Sequence, residues 1–350
     1  MSLKVGIVGL PNVGKSTLFN TLLKKQQAYA ANFPFATIEP NIGIVPVPDY
    51  RLERLAQIVG ADLHGSLPPI VPATVEFVDI AGLVAGAHKG EGLGNKFLAH
   101  IREVDAIVHV VRGFTDEDVI RAGSVSPEED LEIIKTELDL ADYEMEEKSK
   151  GKKGDANPDL PLFKKKPILV VLNIDEETLK DAEQVEKNYA EEMGLEKDQI
   201  IAICAKTEAE LAGLGDEDAK AYLAELGITQ SGLERLIKKA FATLGLITFL
   251  TAGVKEVRAW TLRAGTDALR ASGIIHTDFM NKFIKAEVVS FEDFVECGGP
   301  ASPGERASLA ESKRASRGGW KAAREAGKAR LEGRDYIVKD GDVIEFKIGS

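Results

Sequence analysis

The sequence has only two cysteines, Cys204 and Cys297, and they lie far apart. No disulfide framework is therefore expected, and a reducing, cytoplasmic setting is the default prediction. No apolar stretch approaches the roughly 18 residues of a membrane-spanning helix, so no membrane association is expected. Aromatic residues make up only 6% of the 350 residues, whereas apolar residues make up 44% and charged residues 29%. These proportions are ordinary for a globular protein, and the length predicts about two domains.

Positive charge is in the minority, because 44 Lys and Arg stand against 56 Asp and Glu. The resulting net charge of −12 argues against a general nucleic-acid coat. The basic segment Lys313–Arg334 departs from this balance. It contains eight basic side chains against Glu325 and Glu332, so it carries +6 and the rest of the chain −18. A local basic segment on an acidic protein is typical of a confined polyanion contact. A solvated basic helix without a partner is an equally weighted alternative.

Short runs rich in valine and isoleucine recur through the first two-thirds of the chain. They lack strict alternation, as expected for parallel strands that are covered on both faces. Helical stretches between them complete a βαβ rhythm, which predicts an α/β fold with a doubly wound sheet. The predicted strands are Leu3–Val8, Val75–Ile80, Ala106–Val111, Ile168–Asn173 and Ile200–Cys204.

A helix is predicted to begin at Pro127, with Ser126 as N-cap and Glu129 placed for a capping box. A Gly-, Lys- and Pro-containing linker from Lys148 to Pro161 is predicted to follow it.

The texture changes after about residue 245, where strands with separate turn signals predict a smaller α+β domain. The Asp340-Gly341 dipeptide is a hairpin signal and is predicted to join the last two strands. The predicted strands are Val254–Leu262, Ala286–Ser290, Tyr336–Val338 and Val343–Ile348.

The first candidate site is Gly9–Ser16, which reads GLPNVGKS and fits G-x-x-x-x-G-K-[ST]. It follows a predicted strand and opens a helix, where glycines let backbone N–H groups wrap a β-phosphate. Lys15 is expected to bridge the β- and γ-phosphates, and the Ser16 hydroxyl to ligate Mg²⁺. The other predicted nucleotide-binding residues of this phosphate loop are Asn12, Val13, Gly14 and Thr17.

Two further segments supply the expected partners of the phosphate loop. Asp79 and Gly82 stand at the carboxyl end of a predicted strand; the Asp79 carboxylate is expected to hold Mg²⁺ through water, and the Gly82 N–H to meet the γ-phosphate. Thr37 lies between the two and is expected to supply Mg²⁺ with a second hydroxyl. The three parts in this order predict a P-loop switch NTPase. A P-loop kinase is a minor alternative, since the sequence shows no Arg-rich lid and no acceptor site.

Several more segments give the sequence a specific resemblance to a known family. They read NFPFATIEPN, EFVDIAGLV, GEGLGN, TAGVKEVRAW, IIHTDF and DYIVKDGDV, and lie between residues 32 and 343. Together with the phosphate loop they resemble the YchF proteins, the Obg-like ATPases within the translation-factor class of P-loop GTPases. The resemblance covers nearly the whole chain. It implies a Ras-like G domain over 1–245, with a helical insertion at about 127–165, and a β-grasp domain of the TGS type over 246–350.

The base-reading segment departs from the guanine-binding pattern. GTPases of this class use N-K-x-D, whose carboxylate accepts from guanine N1–H and N2–H, whereas this chain has Asn173-Ile174-Asp175-Glu176. A carboxylate one methylene longer should not sit in the same place, and an unsatisfied guanine edge costs about 1–3 kcal/mol. A register slip that makes Asp175 the guanine reader is the alternative. The resemblance implies that ATP is accepted as well as, or better than, GTP. A later loop is expected to line the base with its backbone: Cys204, Ala205 and Lys206.

Catalysis is less clearly marked in the sequence. Leu83 stands where Ras-type enzymes carry the glutamine that orients the attacking water, so slow intrinsic turnover is predicted. His109 matches a family histidine proposed for this role, and a structural histidine within a buried strand is the alternative. Asn12 resembles the asparagine with which potassium-dependent relatives hold a monovalent cation, so K⁺ is a candidate cofactor beside Mg²⁺.

These features predict a monomeric, ribosome-associated, Mg²⁺-dependent NTPase that binds and hydrolyses ATP, and also GTP, as a slow switch. The basic segment is the candidate contact to ribosomal RNA or ribosomal proteins, because Lys and Arg release counterions from phosphates. A strict GTPase of the Obg type and a non-ribosomal NTP-sensing adaptor are the alternatives. The chain departs from the family in its helical insertion, since Lys148–Pro167 leaves no room for the usual return helix, and in the length of its terminal basic segment.

Overall fold

The computed structural model describes residues 3–32, 41–61, 66–80, 93–116, 118–121, 124–153, 161–298 and 319–349. The chain forms two compact units, one of residues 1–46 and 75–244 and the other of residues 47–74 and 245–350. Residues 47–74 thus pack with the carboxyl-terminal unit, although the sequence-based boundaries place them in the first domain. Within all the described ranges, no helix is both long enough and apolar enough to cross a membrane.

The strands are numbered in chain order. They are β1 (Lys4–Gly9), β2 (Ile42–Pro46), β3 (Ile70–Val71), β4 (Thr74–Asp79), β5 (Ala106–Arg112), β6 (Ile168–Asn173), β7 (Ile200–Ile203), β8 (Leu246–Ala252), β9 (Val257–Arg263), β10 (Phe283–Ser290), β11 (Arg330–Glu332) and β12 (Asp342–Ile348).

The helices follow the same rule. They are α1 (Lys15–Asn32), α2 (Tyr50–Ala61), α3 (Leu93–Glu103), α4 (Pro127–Lys153), α5 (Ala182–Met193), α6 (Ala205–Leu211), α7 (Asp216–Glu225), α8 (Gly232–Thr243), α9 (Ala268–Ile275), α10 (Thr277–Asn281), α11 (Phe291–Gly298) and α12 (Gly319–Glu325).

The first unit is built on a six-stranded sheet in the order β2-β4-β1-β5-β6-β7. Strands β4, β1, β5, β6 and β7 run parallel, and every residue of β5 is buried. Burial on both faces explains why these strands read as continuous apolar runs without alternation. In register, Gly9 pairs with Val110, and Asn173 pairs with Arg112 and Ile203. The carboxyl ends of these strands therefore meet at one edge of the sheet.

Helix α4 confirms the predicted start at Pro127. The backbone N–H of Glu129 donates to Ser126 Oγ (3.3 Å), and the Glu129 carboxylate accepts from the N–H of Val125 (2.8 Å). The helix runs to Lys153, five residues beyond the predicted end. In place of a return helix, the described residues between α4 and β6 contain a single 3-10 turn at Phe163–Lys165. The backbone N–H groups of Phe163 and Lys164 donate to the buried Asp142 carboxylate at 2.8 and 2.9 Å.

The second unit contains a six-stranded mixed sheet in the order β11-β10-β12-β8-β9-β3. Strands β8 and β9 form an antiparallel hairpin, and β12 lies parallel to β8 and antiparallel to β10. The segment from the first half of the chain contributes α2 and β3, and β3 pairs in parallel with β9. One face of the sheet packs on α9 around Phe249, Leu262 and Ile344. This confirms the predicted smaller α+β unit.

The predicted strand at Tyr336–Val338 is wrong. Its described contact is an isolated bridge between Ile337 and Asp267, and β12 pairs with β10 and β8 instead. The Asp-Gly turn is present, with Gly341 at φ +81°. However, the Gly341 N–H donates to the Thr248 carbonyl (2.8 Å), and the Asp340 carboxylate accepts from the Thr248 N–H (2.8 Å). The turn is thus fastened to β8, so the dipeptide marks a turn without marking a hairpin.

Candidate nucleotide-binding site

The phosphate loop lies between the end of β1 and the first turn of α1. Two of its residues have positive φ, Asn12 at +64° and Gly14 at +92°. A Cβ atom on Gly14 would lie 2.2 Å from Asn173 Nδ2, and one on Gly9 would lie 2.8 Å from the Val110 carbonyl oxygen. Close packing therefore requires glycine at both positions, and the positive φ requires it at Gly14 as well. The loop leads into a helix N-terminus, which favours an anionic ligand.

Lys15 and Asp79 meet at the centre of this edge. The Lys15 ammonium forms an ion pair with Asp79 Oδ1, and both side chains remain partly exposed. Asp79 ends β4, which is aligned with β1 at Ile7, and Ser16 follows Lys15 on α1.

Among the described residues no cluster of three or more His, Cys, Asp or Glu side chains forms a metal cage. Mg²⁺ fits such a site, because it is held by few protein oxygens and completes its shell with phosphates and water. The Ser16 hydroxyl would bind it directly and the Asp79 carboxylate through water. The expected third protein ligand, Thr37, and the γ-phosphate contact, Gly82, lie outside the described residues, as does Leu83.

Asn173 is a brace rather than a free base reader. Its Nδ2 donates to the Val13 carbonyl (2.9 Å), and its Oδ1 accepts from the Ala205 N–H (2.9 Å). The side chain is buried. It therefore ties the phosphate loop to the loop that begins with Cys204, and these two loops come from opposite ends of the sequence of the unit.

The two acidic residues of residues 173–176, here called the base segment, both accept hydrogen bonds from other residues of the protein. The Asp175 carboxylate accepts from the Thr115 N–H (3.0 Å). The Glu176 carboxylate accepts from the hydroxyls of Thr207 (3.0 Å) and Tyr222 (3.4 Å). Ile174, in the place of the guanine-binding lysine, is 4% exposed.

A cavity of about 650 Å³, here called the base cavity, lies beside the base segment. It brings together all the predicted base-site residues: Asn173, Ile174, Glu176, Cys204, Ala205 and Lys206. A second cavity of about 580 Å³ lies over the phosphate loop and is lined by its predicted residues Asn12, Gly14, Lys15, Ser16 and Thr17. Val13 is buried and contributes its carbonyl to the Asn173 brace.

Sequence reasoning missed one wall of both cavities. Phe114 and Val119 line both of them, and Thr115 and Asp116 line the base cavity. The signal was an aromatic residue placed two positions after a buried strand that is adjacent to β1. Because the carboxyl ends of parallel strands share one edge of the sheet, such a residue falls at the ligand site.

His109 lies in the middle of β5, between Val8 of β1 and Val170 of β6. It is 2% exposed, and burial lowers its pKa to about 3. Its Nε2 atom has no hydrogen-bond partner within the described part of the chain. The histidine is therefore a neutral, buried side chain in the resting structure, and no described contact links it to the phosphate loop.

Asn12, the candidate potassium ligand, is already tied to a neighbouring loop. Its Nδ2 donates to the Ile120 carbonyl (3.1 Å). A monovalent cation would therefore have to be met by its amide oxygen.

The described part of the basic segment is folded into the second unit. The Arg324 guanidinium donates to Glu287 (2.6 and 2.7 Å) and Glu345 (2.8 Å), and Lys328 pairs with Asp293 (2.8 Å). The hydrogen bond to Arg324 lowers the pKa of Glu287. Two of the basic side chains in the described part of this segment, Arg324 and Lys328, are thus neutralised locally.

Comparison with known proteins follows the same division. A family model described as a 50S ribosome-binding GTPase matches residues 4–174. The YchF GTPase carboxyl-terminal model, described as a protein of unknown function, matches residues 246–314 and 306–349. The chain is 44% identical over 391 aligned positions to the ribosome-binding ATPase YchF of Bacillus subtilis, with 99% of each chain covered.

A second relative and a solved structure agree with this. The ribosome-binding ATPase YchF of Haemophilus ducreyi is 43% identical, again with 99% of each chain covered. The solved YchF GTPase of Schizosaccharomyces pombe superposes with a TM-score of 0.78 at 32% identity, covering 99% of this chain and 98% of that one. With the phosphate loop at the carboxyl edge of its parallel sheet and this similarity along its full length, the chain belongs to the YchF family of P-loop GTPases.

Proposed function

We propose that this protein is a Mg²⁺-dependent NTPase that prefers ATP and acts as a slow, ribosome-associated switch in the cytoplasm. The observation that carries the ATP preference is the occupation of both carboxylates in the base segment. Asp175 accepts from a backbone N–H and Glu176 from two hydroxyls. A GTPase of this class needs a carboxylate that accepts from guanine N1–H and N2–H, whereas both of these carboxylates already accept hydrogen bonds from the protein.

The adenine edge makes a smaller demand. It presents one amino donor and one ring acceptor, and neither of them needs a charged partner. Guanine would leave two donors without a charged acceptor, at about 1–3 kcal/mol. ATP is therefore favoured, and GTP is bound more weakly. This also disfavours Asp175 as the guanine reader.

The chemistry of hydrolysis rests on the phosphate loop. Lys15 is placed to leave its pairing with Asp79 and neutralise the β- and γ-phosphates. Ser16 and Thr37 are the proposed direct Mg²⁺ ligands, and Asp79 is proposed to hold the ion through water. When bound, Mg²⁺ offsets charge that develops on the phosphate oxygens. Leu83 donates no hydrogen bond to water, so intrinsic turnover is slow. The neutral imidazole of His109 is the proposed group that positions the attacking water.

The ribosome partner is carried by the relatives, two of which are named ribosome-binding ATPases. The family's terminal domain is proposed to be of the TGS type. Because Arg324 and Lys328 are ion-paired, we assign the contact to other basic side chains of the segment Lys313–Arg334. A contact through phosphates weakens steeply with salt, so ribosome co-sedimentation across a salt series tests it. Retention that does not change with salt would favour a protein contact, and absence from the ribosome at low salt would favour an NTP-sensing adaptor.

Isothermal titration tests the nucleotide preference. The Mg²⁺ complex of a non-hydrolysable ATP analogue should bind more tightly than that of the GTP analogue, and equal affinities would argue against the ATP preference. The variant Glu176→Asp restores the residue of the guanine pattern and withdraws the carboxylate from Thr207 and Tyr222. It should shift the preference towards GTP by about tenfold, equal to about 1.4 kcal/mol. Glu183→Asp, at an exposed position of α5, should leave it unchanged. A wild-type protein that binds the GTP analogue tenfold tighter contradicts the proposal.

A further inference from the structure

The wall of the nucleotide site that follows β5 is held by one buried arginine. We define the Phe114 loop as residues 113–116 and 118–121. Arg112, the last residue of β5, is 4% exposed, and its guanidinium donates to three carbonyls of this loop: Phe114 (3.3 Å), Asp116 (3.0 Å) and Val119 (2.9 Å). Its Cζ atom also lies 4.3 Å from the centre of the Phe114 ring.

These contacts have a specific geometric consequence. A planar guanidinium with five donors spans three carbonyls at once, which an ammonium does not. The three carbonyls belong to the residues that line the base cavity, whereas Arg112 does not line it. Arg112 therefore shapes the cavity from behind.

Two other nucleotide-site residues fasten the same loop. Asp175 of the base segment accepts from the Thr115 N–H, and Asn12 of the phosphate loop donates to the Ile120 carbonyl. The Phe114 loop is thus tied at separate points to the phosphate loop, to the base segment and to β5. A loop held at three points presents its aromatic ring in a fixed position, and a fixed ring binds a base with a smaller loss of entropy.

We propose that Arg112 is a positioning residue for the nucleotide base: it fixes Phe114 as a wall of the base cavity, with Asp175 as the second fastening of that wall. This rests on the proposed function, because it requires that the cavity bind a nucleoside triphosphate. It assigns Asp175 a role in holding the loop in place of reading guanine. Affinity for ATP then depends on an arginine that touches no part of the ligand.

The test compares affinity and turnover for Arg112→Ala, Arg112→Lys and Phe114→Ala. The Mg²⁺ complex of a non-hydrolysable ATP analogue is the titrant, and steady-state ATPase assays give kcat and KM. Arg112→Ala should weaken binding by about tenfold and raise KM while kcat at saturating ATP changes less than about twofold, because the phosphate contacts remain. Arg112→Lys should recover part of the affinity. Arg235→Ala is the control, since that arginine binds Glu186 in the same unit and lines neither cavity.

A double-mutant cycle separates positioning from a general loss of structure. If Arg112 acts through Phe114, the Arg112→Ala/Phe114→Ala protein should bind no more weakly than the weaker single variant, within about twofold. Additive losses, or unchanged affinity in a folded Arg112→Ala protein, would overturn the inference. If Arg112→Ala does not fold, Asp175→Ala decides, with a rise of about threefold in the dissociation constant expected and no change overturning it. Failure of the wild-type protein to bind ATP would instead overturn the proposed function.

Discussion

Removal of the Asn173 side chain should loosen the first unit and the nucleotide site together. In Asn173→Ala, the Val13 carbonyl and the Ala205 N–H lose the amide that now bonds both at 2.9 Å. Both bonds are buried, and alanine carries no amide that could replace them. The substitution therefore leaves two unpaired backbone groups and a gap behind the phosphate loop.

The expected magnitude follows from these two groups. A buried donor or acceptor left without a partner costs about 1–3 kcal/mol. The base cavity adjoins the site and admits water to part of it, so the lower half of the range applies to each group. We therefore expect a loss of about 2–4 kcal/mol in the free energy of unfolding, a large share of the roughly 5–15 kcal/mol of an ordinary domain. Affinity for the ATP analogue should fall at least about tenfold, because Val13 is part of the phosphate loop.

Urea denaturation followed by far-UV circular dichroism measures this effect. Both tryptophans, Trp260 and Trp320, belong to the second unit, so their fluorescence recorded in parallel reports that unit separately. Asn188→Ala on α5 is the matched control, because its side chain is exposed and its loss should cost less than about 0.5 kcal/mol. An Asn173→Ala protein with the wild-type dichroism midpoint and wild-type affinity would refute the brace.

The remaining predictions concern the phosphate loop and His109. Lys15→Ala should abolish measurable binding of the ATP analogue without a change in melting temperature, because Lys15 faces the ligand rather than the core. The control Lys24→Ala, at an exposed position of the same helix, should bind the analogue normally. Equal affinity of the two variants in calorimetry would contradict the proposed site. The pKa of His109 is about 3 in the folded protein and about 6.5 in the unfolded chain. Because the unfolded chain therefore takes up the proton first, the contribution of His109 to the free energy of unfolding is complete above about pH 6.5. That contribution is lost as pH falls, at about 1.4 kcal/mol per pH unit. Urea denaturation at about pH 7 and about pH 5.5 should therefore show wild type losing about 1 kcal/mol more than His109→Leu, and an identical loss would mean that the imidazole is protonated when folded. Single-turnover assays of a stable His109→Ala protein should show slower hydrolysis without weaker ATP binding, because a water-positioning group acts mainly in the transition state. Leu83→Ala should turn over like wild type. A stable His109→Ala protein with the wild-type rate would remove this residue from the mechanism.

Short sequence patterns by themselves determined the parallel sheet, the phosphate loop and the start of α4. The G-x-x-x-x-G-K-S run, the apolar strands beside it and the capped start of α4 depend on nearby residues, because backbone conformation and helix capping are local properties. The parallel sheet and the phosphate loop at its edge follow from these. So does the departure at Glu176, since a changed side-chain length is visible in the letters alone.

Tertiary structure alone decided which groups meet. Nothing local to Asn173 predicts that it bonds Val13 and Ala205, nor that Arg112 holds the Phe114 loop, because hydrogen-bond partners distant in sequence are selected by packing. Residues 47–74 belong to the second unit for the same reason, since β3 finds its partner in β9 more than 180 residues later. The basic segment gives the clearest case: its charge is plain in the sequence, but the fold brings the carboxylates of Glu287, Asp293 and Glu345 to two of its members, Arg324 and Lys328.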